Sequence, residues 1–236
     1  MIIITDSHVS SANGNVDAFF EMLQRVADSG EDVVFLGDIF DLWISLPRYE
    51  EPIQKRFLQW CHQLCKSRMI GFVEGNHEFY VTLRNRNCFT WSSGSGHQLG
   101  DTLFVHGDLI NRKDRNYLRW RLISKNLLMR TIVRLLPGGP GLAHKTKAKM
   151  KKTNQSYKIA MPIEALKAYA ESCAAQGLKR VFVGHFHENY QVDGDSCRLT
   201  VLPDWFGSGE ITRFETHKKQ IETGPWRQIL QEKAPA

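Results

Sequence analysis

Five short polar motifs punctuate the chain, and each follows a run of apolar residues. The run at 2–5 leads into Asp6-x-His8, that at 33–36 into Gly37-Asp38-x-x-Asp41, and that at 69–73 into Gly75-Asn76-His77-Glu78. The run at 102–105 leads into His106-Gly107-Asp108, and that at 181–183 into Gly184-His185-x-His187. Rich in Val, Ile and Phe, and separated by stretches long enough for crossover helices, these runs are expected as buried parallel strands. Side chains just past the carboxyl ends of such strands face one crevice, where α/β folds place their chemistry. The pattern therefore predicts an α/β fold that aims Asp6, His8, Asp38, Asn76, His106, His185 and His187 at one point, a metal centre.

Imidazole, carboxylate and amide donors without a thiolate suit Mn²⁺, Fe²⁺ or Zn²⁺ alike, and Mn²⁺ is the ion expected. Seven donors are too many for one tetrahedral ion and suit two ions about 3.5–4 Å apart. Asp38 is the natural bridge between them, because a carboxylate has two oxygens. Asp6 and His8 reach one ion together, His185 and His187 repeat that spacing from the last strand, and Asn76 and His106 complete the second site. Such a pair activates water and clamps phosphoryl oxygens, so direct attack by water on phosphorus is expected, with no covalent phosphoenzyme. His77 joins Asp38 as a candidate catalytic residue, placed to stabilise phosphate charge or to protonate a leaving group. Asp41 and Glu78 are expected to orient a histidine. His62, His97, His144 and His217 stand outside the motifs and are read as ordinary core or surface residues.

No apolar run reaches the roughly 18 residues that span a bilayer. Met1 leads directly into the first apolar run, so no secretion signal is expected. Five cysteines, odd in number and without a C-x-x-C pair, fit reduced thiols in the cytoplasm. The formal net charge of +6 is unevenly spread: residues 110–158 hold 14 Lys and Arg against one acidic side chain, Asp114, and the remainder is net −7. The 236 residues suit a single domain, 1–236, with a basic helical cap inserted at 112–158 between the fourth and fifth strands. A helix is expected over 116–136, ended by Pro137-Gly138-Gly139-Pro140-Gly141 and followed by a second basic segment at 142–158. A basic cap with an apolar face beside a metal cleft suits an anionic, lipidic substrate and a peripheral contact with a membrane.

With these residues in hand, the chain resembles the calcineurin-like metallophosphoesterases. Their pattern of D-x-H, G-D-x-x-D, G-N-H-[DE], a His before Gly or Ala, and G-H-x-H is matched from Asp6 to His187. The resemblance implies a four-layer αββα sandwich, with strands at 190–192, 198–202 and 210–214 completing the second sheet. It also implies Asp6, His8, Asp38 and His187 at one ion, and Asp38, Asn76, His106 and His185 at the other.

A narrower resemblance is to the UDP-2,3-diacylglucosamine pyrophosphatases of lipid A biosynthesis. It lies in 36–44, in His106-Gly107-Asp108 with Asp114, Tyr117 and Arg121 behind it, in the basic insertion, and in Leu202-Pro203-x-Trp205. It implies a cytoplasmic enzyme, peripheral at the inner membrane, that hydrolyses the pyrophosphate of a nucleotide-linked lipid to UMP and a lipid monophosphate. Asn76, Asp114, Tyr117 and Arg121 would then touch substrate. His77-Glu78 departs from that narrower family, which carries Arg then Asp there, and matches the wider one. The departure keeps open a phosphatase or phosphodiesterase acting on a soluble nucleotide or phosphoester. A nuclease stacking bases on Tyr117, Trp120 and Tyr157 is the weaker alternative, and nucleic acid is not expected as a partner.

Overall fold

The computed structural model describes residues 1–143, 145–146, 161–194 and 196–231. His144, Tyr157 and most of the second basic segment lie outside the described residues.

Two sheets face each other. The first has the order β13-β12-β1-β2-β4-β6. In it β1 (Ile2–Ile4), β2 (Val33–Phe35), β4 (Ile70–Val73) and β6 (Trp91–Ser93) run parallel, while β12 (Glu210–Glu215) and β13 (Gln220–Pro225) close one edge antiparallel. The second has the order β10-β11-β9-β8-β7. Here β8 (Thr102–Val105), β9 (Arg180–Val183) and β11 (Arg198–Val201) are parallel, flanked by antiparallel β7 (His97–Leu99) and β10 (Tyr190–Asp193). A separate pair, β3 (Trp43–Ile44) with β5 (Glu78–Phe79), lies beyond the motif loops.

Successive side chains of a strand point to opposite faces, so a run apolar at every position is buried on both. Ile3, Val34, Val73, Phe104, Phe182 and Phe214 fill the space between the sheets. Ile2, Ile4, Val33, Phe35 and Phe72 point the other way. There they meet Phe19, Met22, Leu23 and Val26 of α1 (Val16–Ser29) and Phe57, Leu58 and Cys61 of α2 (Pro52–Leu64). On the far side, Leu166, Ala170 and Cys173 of the helix Ile163–Ala175 pack on Val181, Val183 and Leu199. The result is helix, sheet, sheet, helix, the four layers expected.

Two expectations need correction. The strand at 210–214 joins the first sheet, pairing antiparallel with β1 through Ile2↔Arg213 and Ile3↔Thr212. The reason lies in the edge of β1: β2 satisfies only one side, and an uncovered edge leaves a row of unpaired N–H and C=O groups. Second, the helix expected over 116–136 is two helices, α4 (Arg115–Ser124) and α5 (Leu127–Leu135), with α3 (Val81–Arg84) a short turn before them. Asn126 causes the break by accepting the Met129 N–H at 2.7 Å as the N-cap of α5. Two tyrosine hydroxyls tie this helical segment to the body, Tyr80 donating to Ser124 O and Tyr49 to Val133 O, both at 2.7 Å. The helix Ile163–Ala175 follows as α6 and Trp205–Ser208 as α7.

Aromatic rings join the sheets: Phe182 of β9 stacks on Phe104 of the neighbouring strand, 5.5 Å between ring centres, and meets Phe214 of β12 in the facing sheet at 5.2 Å. Phe182→Ala should therefore lower unfolding stability by about 3–5 kcal/mol. Urea denaturation followed by circular dichroism measures this, and a loss below about 1 kcal/mol would contradict an aromatic core shared by both sheets.

Candidate metal centre

The motif loops continue the strand pairing beyond the sheet. Asp6 N donates to Gly37 O and His8 N to Asp38 O, each at 3.0 Å, so the first two loops run side by side. Asp6, His8, Asp38, His185 and His187 all have positive φ, between 41° and 70°. A non-glycine residue held there costs about 1–3 kcal/mol and persists only where its surroundings enforce it. What enforces it is a set of hydrogen bonds between loops. Asp6 Oδ2 accepts from Thr5 Oγ1 at 2.5 Å and from His185 N at 2.8 Å, joining the ends of β1 and β9 across the two sheets. Asp38 Oδ1 accepts from His77 N at 2.8 Å. Gly75 must remain glycine, because a Cβ there would lie 2.2 Å from Asp38 Oδ1.

Three sets of donor atoms each converge within 4.8 Å: Asp6, His8 and His187; His8, Asp38 and His77; and Asp38, His106 and His185. His106 Nδ1–H donates to Leu36 O at 2.9 Å, which aims Nε2 at Asn76 Oδ1, 3.1 Å away, and at Asp38 Oδ2, 3.5 Å away. All seven expected donors therefore surround one small volume. Asp6 Oδ1 is buried without a hydrogen bond and sits 3.3 Å from His187 Nε2. A buried carboxylate oxygen with no donor, facing imidazole nitrogens, fits a divalent cation.

The electrostatics agree. Burial lowers the pKa of His8 to about 4, against the pull of Asp38, and burial with the charge of His106 lowers that of His185 to about 4. Both rings are neutral at pH 7, with lone pairs available to an ion. Burial opposes ionisation of Asp38, yet His77 and His106 hold its carboxyl well below the usual range. Burial likewise disfavours the His106 cation, and Asp38 overcomes it, raising that pKa to about 10. The centre of the site thus calls for positive charge.

His77 Nδ1–H donates to the Asp41 backbone carbonyl at 2.6 Å, and Nε2 faces Asp38 Oδ2 at 3.8 Å. Glu78, expected to orient a histidine, has a different task. Its fully buried carboxyl group accepts the amide N–H groups of Asp38, Ile39 and Gly75 at 2.6–2.7 Å, bonding two ligand loops together. Asn76, His77 and Tyr117 line a cavity of about 1310 Å³ above the donors. Asp114 caps α4 by accepting Tyr117 N at 2.9 Å. Arg121 is buried, with Nη1 3.1 Å from Asp108 Oδ2 and Nη2 donating to Gly94 O at 2.8 Å. Asp114 and Arg121 are thus occupied within the fold.

The five motifs do not reveal Asp204. Its Oδ2 lies 3.6 Å from His187 Nδ1 and also accepts Gly207 N, capping α7. It stands just past the end of β11, a parallel strand, so the rule that locates the other motifs applies to it as well.

The cavity has two kinds of wall. Its floor is His8, Asp38, Asn76, His77, His185 and His187, and its sides are largely apolar, among them Leu42, Ile44, Phe79, Trp120, Ile123, Met129, Val133 and Leu142. Among the described residues no helix is long and apolar enough to cross a membrane.

The family model of the calcineurin-like phosphoesterases matches residues 1–189, and the chain belongs to that family, whose members work with divalent metal ions. Among curated proteins, the UDP-2,3-diacylglucosamine hydrolase of Shewanella loihica is 24% identical over 237 residues, covering 95% of this chain and 96% of that one. The enzyme of the same name from Stutzerimonas stutzeri is 27% identical over 226 residues, covering 89% and 92%. Among solved structures, an archaeal phosphodiesterase superposes with a TM-score of 0.47 at 14% identity, covering 94% of this chain and 96% of that one. The protein is a hydrolase of this family.

Asp204→Asn keeps the helix cap but removes the charge behind His187. Metal affinity should fall about 10–100-fold, as is usual when the group that orients a ligand is replaced. Calorimetric titration of the metal-stripped protein measures it, and an unchanged affinity would make Asp204 a helix cap and nothing more.

Proposed function

We propose that the protein hydrolyses the pyrophosphate of a nucleotide-linked lipid, UDP-2,3-diacylglucosamine, to UMP and a lipid monophosphate. The observation that carries this reading is the apolar chamber opening directly onto the Asp and His cluster. At about 1310 Å³ it exceeds the roughly 300–1,000 Å³ typical of small-molecule sites. Its walls suit acyl chains, and its floor suits phosphate. The relatives bearing that activity in their names span nearly the whole chain.

Asp6, His8, Asp38 and His187 would hold one Mn²⁺, and Asp38, Asn76, His106 and His185 a second, with Fe²⁺ or Zn²⁺ as alternatives. When bound, such a pair polarises phosphoryl oxygens and supplies a water of lowered pKa. Asn76 and Tyr117 face the chamber and would meet the phosphate and its neighbours. His77 keeps Nδ1 on the Asp41 carbonyl and presents Nε2 to the substrate side, where it stabilises phosphoryl charge or protonates the departing oxygen. Residues 112–158 would act as a cap within one domain. The exposed Leu122, Leu127, Leu128 and Leu135, next to Arg119, Arg130 and Arg134, suit a contact with the cytoplasmic face of the inner membrane.

A second reading, a phosphodiesterase on a soluble nucleotide or phosphoester, is favoured by one observation. The imidazole of His77 stands over Asp38 where the narrower family carries an arginine.

With Mn²⁺, the purified protein should release UMP from UDP-2,3-diacylglucosamine, and a chelator should abolish the reaction. Efficient cleavage of soluble nucleotides with no turnover of the lipid would instead establish the second reading. His77→Ala should retain its metal by elemental analysis while kcat falls about 100-fold or more. A lost ion would make His77 a ligand, for which the set His8, Asp38 and His77 leaves room.

A further inference from the structure

The helical segment does more than cover the site. Three residues of α4 and its end, Tyr117, Arg121 and Lys125, recur at intervals of four and so share one helix face. That face meets two of the ligand loops. Lys125 Nζ donates to Gly75 O at 2.6 Å and lies 3.6 Å from Glu74 Oε2. Glu74 is itself fixed, its Oε1 accepting Thr82 N at 2.8 Å and Thr82 Oγ1 at 3.0 Å. Tyr117 donates to Asp108 Oδ2 at 2.5 Å, and Arg121 pairs with the same oxygen.

Gly75 O belongs to the peptide bond that leads into Asn76. The amide N–H of Gly75 is held from the opposite side by Glu78 Oε2 at 2.7 Å. The residue before Asn76 is thus gripped at both ends, by a carboxyl group from within the body and by an ammonium from the end of α4. Asp108 stands two residues after His106, and Asn76 Oδ1 and His106 Nε2 are 3.1 Å apart. Each of these two donors therefore has a partner of the α4 segment within two residues of it.

Burying two cations and two anions at a helix–body contact adds little to stability, since well-packed apolar groups would serve as well or better. What such a contact supplies is direction: charged hydrogen bonds are short and geometrically demanding. We infer that Lys125 is a positioning residue for the metal centre, setting through Gly75 O the placement of Asn76. The same helix lines the chamber through Trp120, Ile123 and Ser124, so chamber wall and ligand loop are one mechanical unit.

The test is a calorimetric titration of metal-stripped protein with Mn²⁺, which needs no substrate and so is independent of the lipid assignment. It rests on the two-ion reading, and the wild type separates the two: a single binding event there refutes both. With two events, Lys125→Met should weaken one by about 10–100-fold and leave the other unchanged. Lys125→Arg, which keeps a charged donor, should restore most of the affinity. Asn76→Ala should weaken the same event, and Lys125→Met added to it should weaken that event no further. Should Lys125→Met fail to fold, Lys125→Gln carries the same expectation. A lowered melting temperature with both events at wild-type strength, or both weakened equally, would overturn the inference and leave Lys125 as a fastening of the helix only.

Discussion

Two ionised carboxylates buried between facing sheets, Asp6 and Asp38, set the terms for the surrounding structure. A carboxylate removed from water is unfavourable by several kcal/mol unless charge and hydrogen bonds replace its hydration. Thr5, His185 N and His77 N supply hydrogen bonds, and the imidazoles crowd in around them. The left-handed φ values follow from the same demand. To bring donors from five loops to one volume, the backbone must turn where the last strand residue ends, and Asp6, His8, Asp38, His185 and His187 sit on those turns. The two facing sheets are what make the convergence rigid, because β1 and β2 enter from one and β8 and β9 from the other.

Because that demand is local, it leaves a plain trace in the chain. An apolar run followed at once by Asp, Asn or His is enough to find the donors that meet here, and strands apolar at every position are enough to expect cover on both faces. What the chain hides is topological. Residues 210–214 look like any other strand, and only the unsatisfied edge of β1 decides which sheet receives them. The break at Asn126 is hidden for a similar reason. Ile123 and Leu127, four residues apart, carry an apolar helical spacing across it, and one side-chain bond to Met129 N divides the helix against that pattern. Asp204 is obscure because nothing in residues 198–201 marks β11 as parallel, although its position obeys the same rule as the five motifs.

The basic composition of residues 110–158 also reads differently in three dimensions. In the sequence it suggests a cationic face toward an anionic substrate. In the structure, Arg121 and Lys125 are turned inward and matched against Asp108 and Glu74, so these two charges attach the helix to the body. The positive charges left toward solvent include Arg115, Arg119 and Arg134. Charge and hydrophobicity are therefore sorted by depth: ion pairs at the ligand loops, apolar side chains around the chamber, and mixed basic and apolar groups outside.

That last layer bears on where the chemistry takes place. A helix with a narrow apolar stripe needs only a core beneath it, whereas one with a wide stripe leaves part of that stripe to be covered from outside. Met129 and Val133 of α5 face the chamber, but Leu127, Leu128 and Leu135 are 66%, 71% and 71% exposed. Leu122 of α4 adds 74% exposure to the same segment. A cluster of this kind, bordered by arginines, is costly in water and favourable at an anionic lipid interface, where leucines enter the acyl boundary and arginines meet phosphate. Under the proposed lipid reading, a substrate drawn from such an interface would pass from one apolar environment to another across a single helix. Its acyl chains would never have to cross water to reach the metal centre.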